Sequence, residues 1–366
     1  MHKWWLNWQR NWRLFRGHWE YWPFHWVYGP VYLVFVYYMV RSGLRFFFTA
    51  ANPTIENGGF VLESKKKIYD LLPPGSYPHT LFYRSGAAPG EVLAGVHQAG
   101  MQYPLVIKPD IGGRGRAVVI INSEAAFYHY VPLFTLDFLV QEWIEYPREA
   151  GIFFVKMPGA AAGKITGIVG KGFGEVTGNG VDDIGTLIKA NNRLARQFEN
   201  LAKALGPRLQ EVPAAGENCL LMPFGNHARG AVFYDWSHQS SPLLNDTINQ
   251  LACRIDGYYY GRLDVRYRNW AELENGTAYS IIELNGAGSE PTHMYDPAHS
   301  LWFAWKEITR HWALLYRVSR ANHAKGAAYM GLKQGLALLR ANSRFEADLD
   351  ALHFQLQQNP FAEVIG

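Results

Sequence analysis

Two hydrophobic periods take turns along this chain, and their exchanges place the elements. Alternating apolar and polar positions mark strands. Residues 103–122, "YPLVIKPDIGGRGRAVVIIN", read as strand, glycine loop, strand. "FLVQEWIEYPREAGIFFVKMPG" (138–159) predicts two strands around a tight turn, and "GKITGIVGKGF" (163–173) predicts another. "NCLLMPFG" and "RGAVFYDW" read as strands too. In Gly261–Tyr267, Leu263, Val265 and Tyr267 alternate against Arg262, Asp264 and Arg266. "FFFTAANPTIENGGF" (46–60) passes from an apolar strand into a loop rich in Asn, Pro and Gly.

Helical spacing predicts the rest. "ESKKKIYDLL" (63–72) is a short helix that Pro73-Pro74-Gly75 ends, and "SEAAFYHYV" is a helix with Ser123 as its N-cap. Residues 183–205 read as helical. Leu244, Ile248, Leu251, Ile255 and Tyr259 recur at helical spacing. The tail, 297–355, is mostly helix, with Leu301, Ile308, Trp312 and Leu315 on one face. There is no internal repeat and no low-complexity tract. Strands and helices alternate, but many strands sit in hairpins, which predicts an α+β (mixed α/β) fold.

Composition narrows the classes. The chain has 366 residues, 48% hydrophobic and 18% charged, enough for a large core. The net charge of +4 is mild, and the basic residues concentrate near the start, so bulk nucleic-acid binding is not indicated. Cys219 and Cys253 show no metal-type spacing and read as buried thiols of a reducing compartment.

The chemistry concentrates at "YSIIELNGAG" (279–288). Glu283 and Asn285 lie two apart, so a strand puts both on one face. Asn275-Gly276 is a strong turn pair. If 261–267 and 279–285 form a hairpin, Asp264 falls roughly opposite Glu283, with Cβ atoms about 4.5–5.5 Å apart. Two carboxylates and an amide so close suit a hard cation, Mg²⁺ above all. The alternative is two solvated carboxylates on an exposed hairpin.

"IKPDIGGRGRAV" sets Lys108 at a strand end before Gly112, Gly113 and Gly115. Glycines let backbone N–H groups approach phosphate, and lysine adds a compact charge. The spacing is not that of GxxxxGK[ST], and a plain turn would look similar. Lys171, in "VGKGFGE", is either a second cleft lysine or a solvated charge. Backbone at Gln141, Glu142, Trp143 and Ile144 could read an adenine edge, with Trp143 or Ile144 on its face, and Glu149 could accept ribose hydroxyls. A plain amphipathic hairpin fits the same residues.

The order of these motifs resembles the ATP-grasp superfamily, and within it carboxylate–amine ligases such as D-alanine–D-alanine ligase. "GRLDVRY" followed by "IIELNGAG" carries the resemblance most specifically, with "KPDIGGRGRAV" and "QEWIEYPREA" beside it. "GEVTGNGVDDIGTLIKANN" is similar to a segment of ATP-grasp proteins of the cyanophycin synthetase type. The resemblance covers roughly 60–300. It implies an ATP-grasp fold, two α+β subdomains gripping ATP, flanked by an aromatic N-terminal segment and a helical tail. The division it implies is 1–50, aromatic segment; 51–140, pre-ATP-grasp strand and lid subdomain; 141–300, catalytic subdomain; 301–366, C-terminal helices.

It also implies roles. Asp264, Glu283 and Asn285 would bind one or two Mg²⁺, with Mn²⁺ as a substitute. Arg262 would stabilise charge on the transferred phosphoryl group and the tetrahedral intermediate. Lys108 would contact the α- and β-phosphates, Gly112, Gly113 and Gly115 would close over the β- and γ-phosphates, and Lys171 would reach toward the γ-phosphate. Lys65 matches the lysine before the lid, Lys66 and Lys67 being alternatives. Gln141, Glu142, Trp143 and Ile144 would line adenine, and Glu149 the ribose. The segment after E-x-N, "GAGSEPTHMYDP", departs from the peptide-ligase pattern. Ser289, Glu290 and His293, together with His227 and Arg229, form a different substrate set, Arg229 being suited to a carboxylate. His227, His238 and His293 are unranked general-base candidates. The implied activity is ATP- and Mg²⁺-dependent joining of a small-molecule carboxylate to an amine through an acylphosphate. A phosphotransferase on the same site and a non-catalytic, membrane-surface ATP-binding protein are the alternatives.

The N-terminus bears on location. Seven of the 13 tryptophans fall in the first 26 residues, and residues 21–40 carry no formal charge, the length of a membrane span. Pro23, Gly29 and Pro30 break it, and the aromatic, β-branched composition suits an interface. With the ATP site in the cytoplasm, a span would put Lys3, Arg10, Arg13 and Arg16 outside, against the positive-inside rule. The open readings are an in-plane or re-entrant membrane contact, a buried or homodimer-forming segment, and a span. No small-residue cleavage site follows, so a signal peptide is not expected. The implied location is the cytoplasm, at the inner membrane face if lipid is contacted.

Overall fold

The alternating segments assemble two antiparallel sheets and a separate two-stranded sheet in a computed structural model, which describes residues 19–172, 174–191, 194–222, 231–358 and 364–365. The smaller sheet holds β1 (Thr80–Tyr83), β2 (Leu105–Pro109), β3 (Val118–Ile121), β4 (Phe138–Glu142) and β12 (Val364–Ile365), in the order β1-β4-β2-β3-β12. The larger holds β5 (Arg148–Val155), β6 (Lys164–Gly172), β9 (Val232–Asp235), β10 (Tyr260–Tyr267) and β11 (Tyr279–Asn285), in the order β11-β10-β5-β6-β9. β7 (Gly174–Thr177) pairs with β8 (Asn218–Met222). The fold is mixed α+β, as the patterning predicts.

The helices are α1 (Phe24–Tyr28), α2 (Tyr32–Arg41), α3 (Lys65–Leu71), α4 (Pro89–Gln98), α5 (Glu124–Tyr130), α6 (Ile184–Ala190), α7 (Phe198–Leu205), α8 (Pro242–Cys253), α9 (Trp270–Glu274), α10 (Leu301–Ala324) and α11 (Leu332–Gln357). Short polar caps start several of them. Ser64, Ser123, Ser241 and Ser300 accept from the N–H groups of Lys67, Ala126, Leu244 and Phe303. Each such cap is worth about 1 kcal/mol.

Each sheet has its own core. Ile107, Val119 and Phe138 of the smaller sheet pack with Val92 and Val96 of α4, Phe127 of α5 and Leu349, Leu352 and Leu356 of α11. Leu263, Val265 and Ile281 of the larger sheet pack with Leu244, Ile248 and Leu251 of α8. Its other end joins Phe153 and Tyr260 to Leu315 and Val318 of α10.

The tertiary structure corrects four expectations. Phe46–Phe48 is not a strand but leads into a 3₁₀ turn, Phe47–Ala50, because all three rings are buried between the larger sheet and α10 and cannot alternate. β4 and β5 do not pair as a hairpin; they enter different sheets, and the segment between them connects the two. The helical spacing of 244–259 stops at Cys253, and Ile255 and Tyr258 join the core from the loop beyond. The cysteines are not buried: Cys253 is exposed and Cys219 partly so. Cys253 ends α8 off its apolar face, where its thiol meets Lys156 Nζ at 3.0 Å.

The aromatic N-terminal stretch breaks at Gly29–Pro30 into α1 and α2. Val27 and Tyr28 pack on Ala304 and Ile308 of α10, and Tyr38 stacks on Tyr316 at 4.5 Å. Leu33, Val36, Tyr37 and Val40 form the opposite, exposed stripe of α2. Among the described residues no helix is long and apolar enough to cross a membrane.

Candidate active site

The β10–β11 register pairs Asp264 with Glu283 and Arg262 with Asn285, as the hairpin reading predicts. Period two turns all four toward the cleft between the sheets. Arg262 forks onto Asp264, Nε to Oδ1 at 2.7 Å and Nη2 to Oδ2 at 3.0 Å. Lys171 of β6 donates to Glu149 Oε1 at 2.6 Å and lies 3.4 Å from Asp264 Oδ2. Burial alone would raise the Asp264 carboxyl, but the Arg262 and Lys171 charges hold it below the usual carboxylate range. Burial likewise disfavours the Arg262 and Lys171 charges, and their carboxylate partners raise both. Two cations and two anions thus form a compensated quartet. Gly151 of β5 makes room for it, since a Cβ there would lie 2.8 Å from Asp264 Oδ1.

Glu283 and Asn285 stand apart from that quartet. Among the described residues the Glu283 carboxylate makes no hydrogen bond or ion pair, and the Asn285 side-chain amide nitrogen is buried with no partner. A buried, unpartnered amide is rare in a finished core. The orphaned Asn285 nitrogen is a donor that calls for an acceptor, while the side-chain oxygens of Asp264, Glu283 and Asn285 are the kind of set that would hold a hard divalent ion.

Lys108 of β2 sits deeper in the cleft. Its Nζ donates to Tyr69 Oη at 2.9 Å and Gln141 Oε1 at 2.8 Å. Thr80 Oγ1 receives the Gln141 amide at 2.7 Å, and Tyr69 donates to the Ile282 carbonyl at 2.6 Å. Burial pushes the Lys108 ammonium down to about 8, against the pull of Glu283 and Asp110. Lys65 is the lysine of α3 that faces the loop, donating to the Gly112 carbonyl, while Lys66 pairs with Asp70 and Lys67 with Glu56 at the surface. Gly112 and Gly115 hold φ of 122° and 69°. Arg116 ties the loop to α11, 2.6 Å from Glu346 and 2.9 Å from Asp350. His353 accepts from the Ala117 N–H at 3.1 Å.

At the segment between β4 and β5, Arg266 lies 5.0 Å from the Trp143 ring centre and donates to the Ile144 carbonyl at 2.7 Å. Every residue that the resemblance assigns to nucleotide, Lys171 excepted, lines one cavity of about 180 Å³, together with Glu283. A second cavity of about 340 Å³ adjoins it across the glycine loop and reaches Asn285.

The substrate set is dispersed. Ser289 bonds back to the Asn285 carbonyl at 2.7 Å. Glu290 receives the Tyr28 hydroxyl at 2.5 Å, and its carbonyl accepts from Arg262 at 3.2 Å. His293 is buried, 3.1 Å from Glu307. His311 joins them, but Arg310 donates to Glu307 and contacts His311 at 3.1 Å, which puts a fixed cation where a metal would go. His238 lies in the 3₁₀ turn after β9. His227 and Arg229 lie outside the described residues.

Sequence reasoning missed Tyr69, Thr80, Arg266 and Glu63. Arg266 had a signal, since it shares the alternating face of Arg262 and Asp264. Gly286 shows the opposite case. Its glycine-rich turn serves packing, because a Cβ there would strike the Gly58 carbonyl and Gly59 Cα, and Ala287 N bonds that carbonyl at 2.9 Å.

No family model and no curated protein matches the chain. Among solved structures it is similar to a bifunctional glutathione synthetase from Pasteurella multocida, at 14% identity and a TM-score of 0.41, over 69% of this chain and 35% of that one. It is similar to D-alanine–D-alanine ligase from Bacillus anthracis, at 12% and 0.40, over 72% and 69%. It is also similar to the ATP-grasp ligase PsnB complexed with minimal precursor, at 13% and 0.37, over 69% and 60%. The chain thus spans about a third of the glutathione synthetase's length.

Proposed function

We propose that the chain is an ATP- and Mg²⁺-dependent ligase that activates a carboxylate and joins it to an amine. The observation that carries this reading is convergence. Lys65 of α3, Lys108 of β2 and the glycine loop line one cleft with Glu283, the adjoining cavity extends it to Asn285, and Arg262 and Asp264 pair with these two from β10. In this reading the donor carboxylate attacks the γ-phosphorus, the bond to ADP breaks, and an acylphosphate forms. The amine nitrogen then bonds to the carbonyl carbon. The C–O bond to phosphate breaks, phosphate leaves, and the proton from nitrogen passes to solvent. Lys108 and Lys65 bind phosphate oxygens, and Arg262 offsets charge as it develops. Magnesium, or manganese in its place, would be held by Asp264, Glu283 and Asn285 and would neutralise phosphate charge.

The test supplies ATP and Mg²⁺ with pooled carboxylates, pooled amines, or both. Phosphate and a new condensed mass should appear only with both pools, and Glu283→Gln should lower the rate by about 10²–10³, the cost of losing one charge-stabilising group. A phosphorylated product from a single pool would establish the phosphotransferase instead.

A second part of the proposal concerns location. The exposed Leu33, Val36, Tyr37 and Val40 stripe, with Trp26 and Trp302 also exposed, supports contact with a lipid surface in the membrane plane.

A further inference from the structure

The larger of the two adjoining cavities contains a buried carboxyl oxygen without a hydrogen-bond partner. Glu63 lines it, one residue before the Ser64 cap of α3. Its Oε2 is buried and accepts no hydrogen bond. A carboxyl oxygen taken out of water without a donor is costly, so it points to a missing donor or cation. Arg114 also lines this cavity, and three other charged neighbours have partners of their own. Lys65 donates to the Gly112 carbonyl, Arg116 pairs with Glu346 and Asp350, and Glu56 pairs with Lys67. Burial raises the Glu63 carboxyl, its own backbone N–H and Lys65 oppose the rise, and Glu283 and Glu56 add to it, so Oε2 is the oxygen left open. Asn285, on the same cavity wall, holds the other unpartnered polar atom, next to the phosphate-facing Glu283.

We infer that this cavity is the acceptor pocket and that Glu63 docks the amino group of the acceptor. The inference rests on the ligase reading and names the one substrate group that reading leaves unplaced. A primary amine or ammonium offers up to three donors and a positive charge, which match the open carboxylate. A carboxylate in its place would meet Glu63 and Glu283 as like charges. The pocket opens onto Glu283 and Asn285, so an amine held by Glu63 shares one chamber with the face where the acylphosphate would form.

The probes are ethylamine, ethanolamine, glycinamide and cadaverine, each against its N-acetyl form, with ADP and Mg²⁺ present and saturation-transfer NMR as readout. At least one free amine should bind the wild-type chain, its N-acetyl form should not, and Glu63→Gln should weaken the amine by about 10- to 100-fold. ADP affinity, titrated separately, should change less than about twofold in the variant, and melting curves of Glu63→Gln and Glu63→Ala establish that both fold. Amines that bind Glu63→Gln as tightly as wild type, or no amine bound by wild type, overturn the inference. So does a loss of ADP or Mg²⁺ affinity in Glu63→Gln, which would place Glu63 in the metal site. A wild-type chain that ignores ADP sinks the ligase reading itself, whatever the amines do.

Discussion

Lys108 has the environment of a residue that waits for an anion. Its two neighbours, Tyr69 and Gln141, are neutral acceptors, and burial brings its ammonium down to about 8. Two opposite pH effects follow. In the free chain the folded value lies below the ordinary lysine value, so the unfolded state binds more protons between about 8 and about 10.4, and stability rises with pH across that window. Phosphate at Lys108 would raise its value again, so nucleotide binding takes up a proton above about 8 and affinity falls as pH rises. ADP titrations from pH 7 to pH 9.5 should show this fall, by at most about tenfold per pH unit. Lys108→Met should weaken ADP at pH 7 by about 10- to 100-fold and flatten the profile. An unchanged slope in Lys108→Met would assign the titration to another group.

At the scale of elements, the glycine loop is less free than its composition suggests. Arg114 and Ala117 both hold left-handed φ, of 61° and 55°, an arrangement that costs a non-glycine residue about 1 kcal/mol or more. Helix α11 holds the loop there through Arg116 and through His353 on the Ala117 N–H. These ion pairs are partly solvated, so together they are worth about 1 kcal/mol. Arg116→Ala should speed amide exchange in 111–117 about fivefold, while α11 stays protected by its buried Leu349, Leu352 and Leu356. Exchange that is unchanged in the loop, or that rises equally along α11, would show that Arg116 is not the tie. The strand pair β10–β11 is the stiff counterpart. Its central strand is paired on both sides, so the Arg262–Asp264 fork rests on a sheet and not on a loop.

Across the whole molecule, the N-terminal helices join the cleft face to the outer surface. Tyr28 reaches Glu290, whose carbonyl holds Arg262, while α2 turns its apolar stripe outward. Vesicles containing anionic lipid should float with the full chain. Replacing Leu33, Val36 and Val40 together by Ser should release it and move the melting temperature by less than about 2 °C, because exposed positions away from special features change stability little. A full chain that stays at the bottom of the gradient would refute the lipid contact.

The sequence by itself determined the strands of the cleft and their alternation, because a two-residue period is a local constraint. The pairing of Asp264 with Glu283 also takes a bulge between Asp264 and Val265, and Asn275-Gly276 is not a hairpin turn but the end of α9, which Asn275 caps. The caps at Ser64 and Ser123 were legible for the same reason. Three things were decided only by tertiary structure. The partition of β4 and β5 into different sheets depends on which neighbours each strand finds, which no local pattern encodes. The triple phenylalanine at 46–48 lost its strand because α10 and the larger sheet enclose it from both sides. The docking of α11 on the glycine loop, and the unpartnered Oε2 of Glu63 beside it, arise from segments more than two hundred residues apart in the chain, where burial and charge are set by packing and not by spacing.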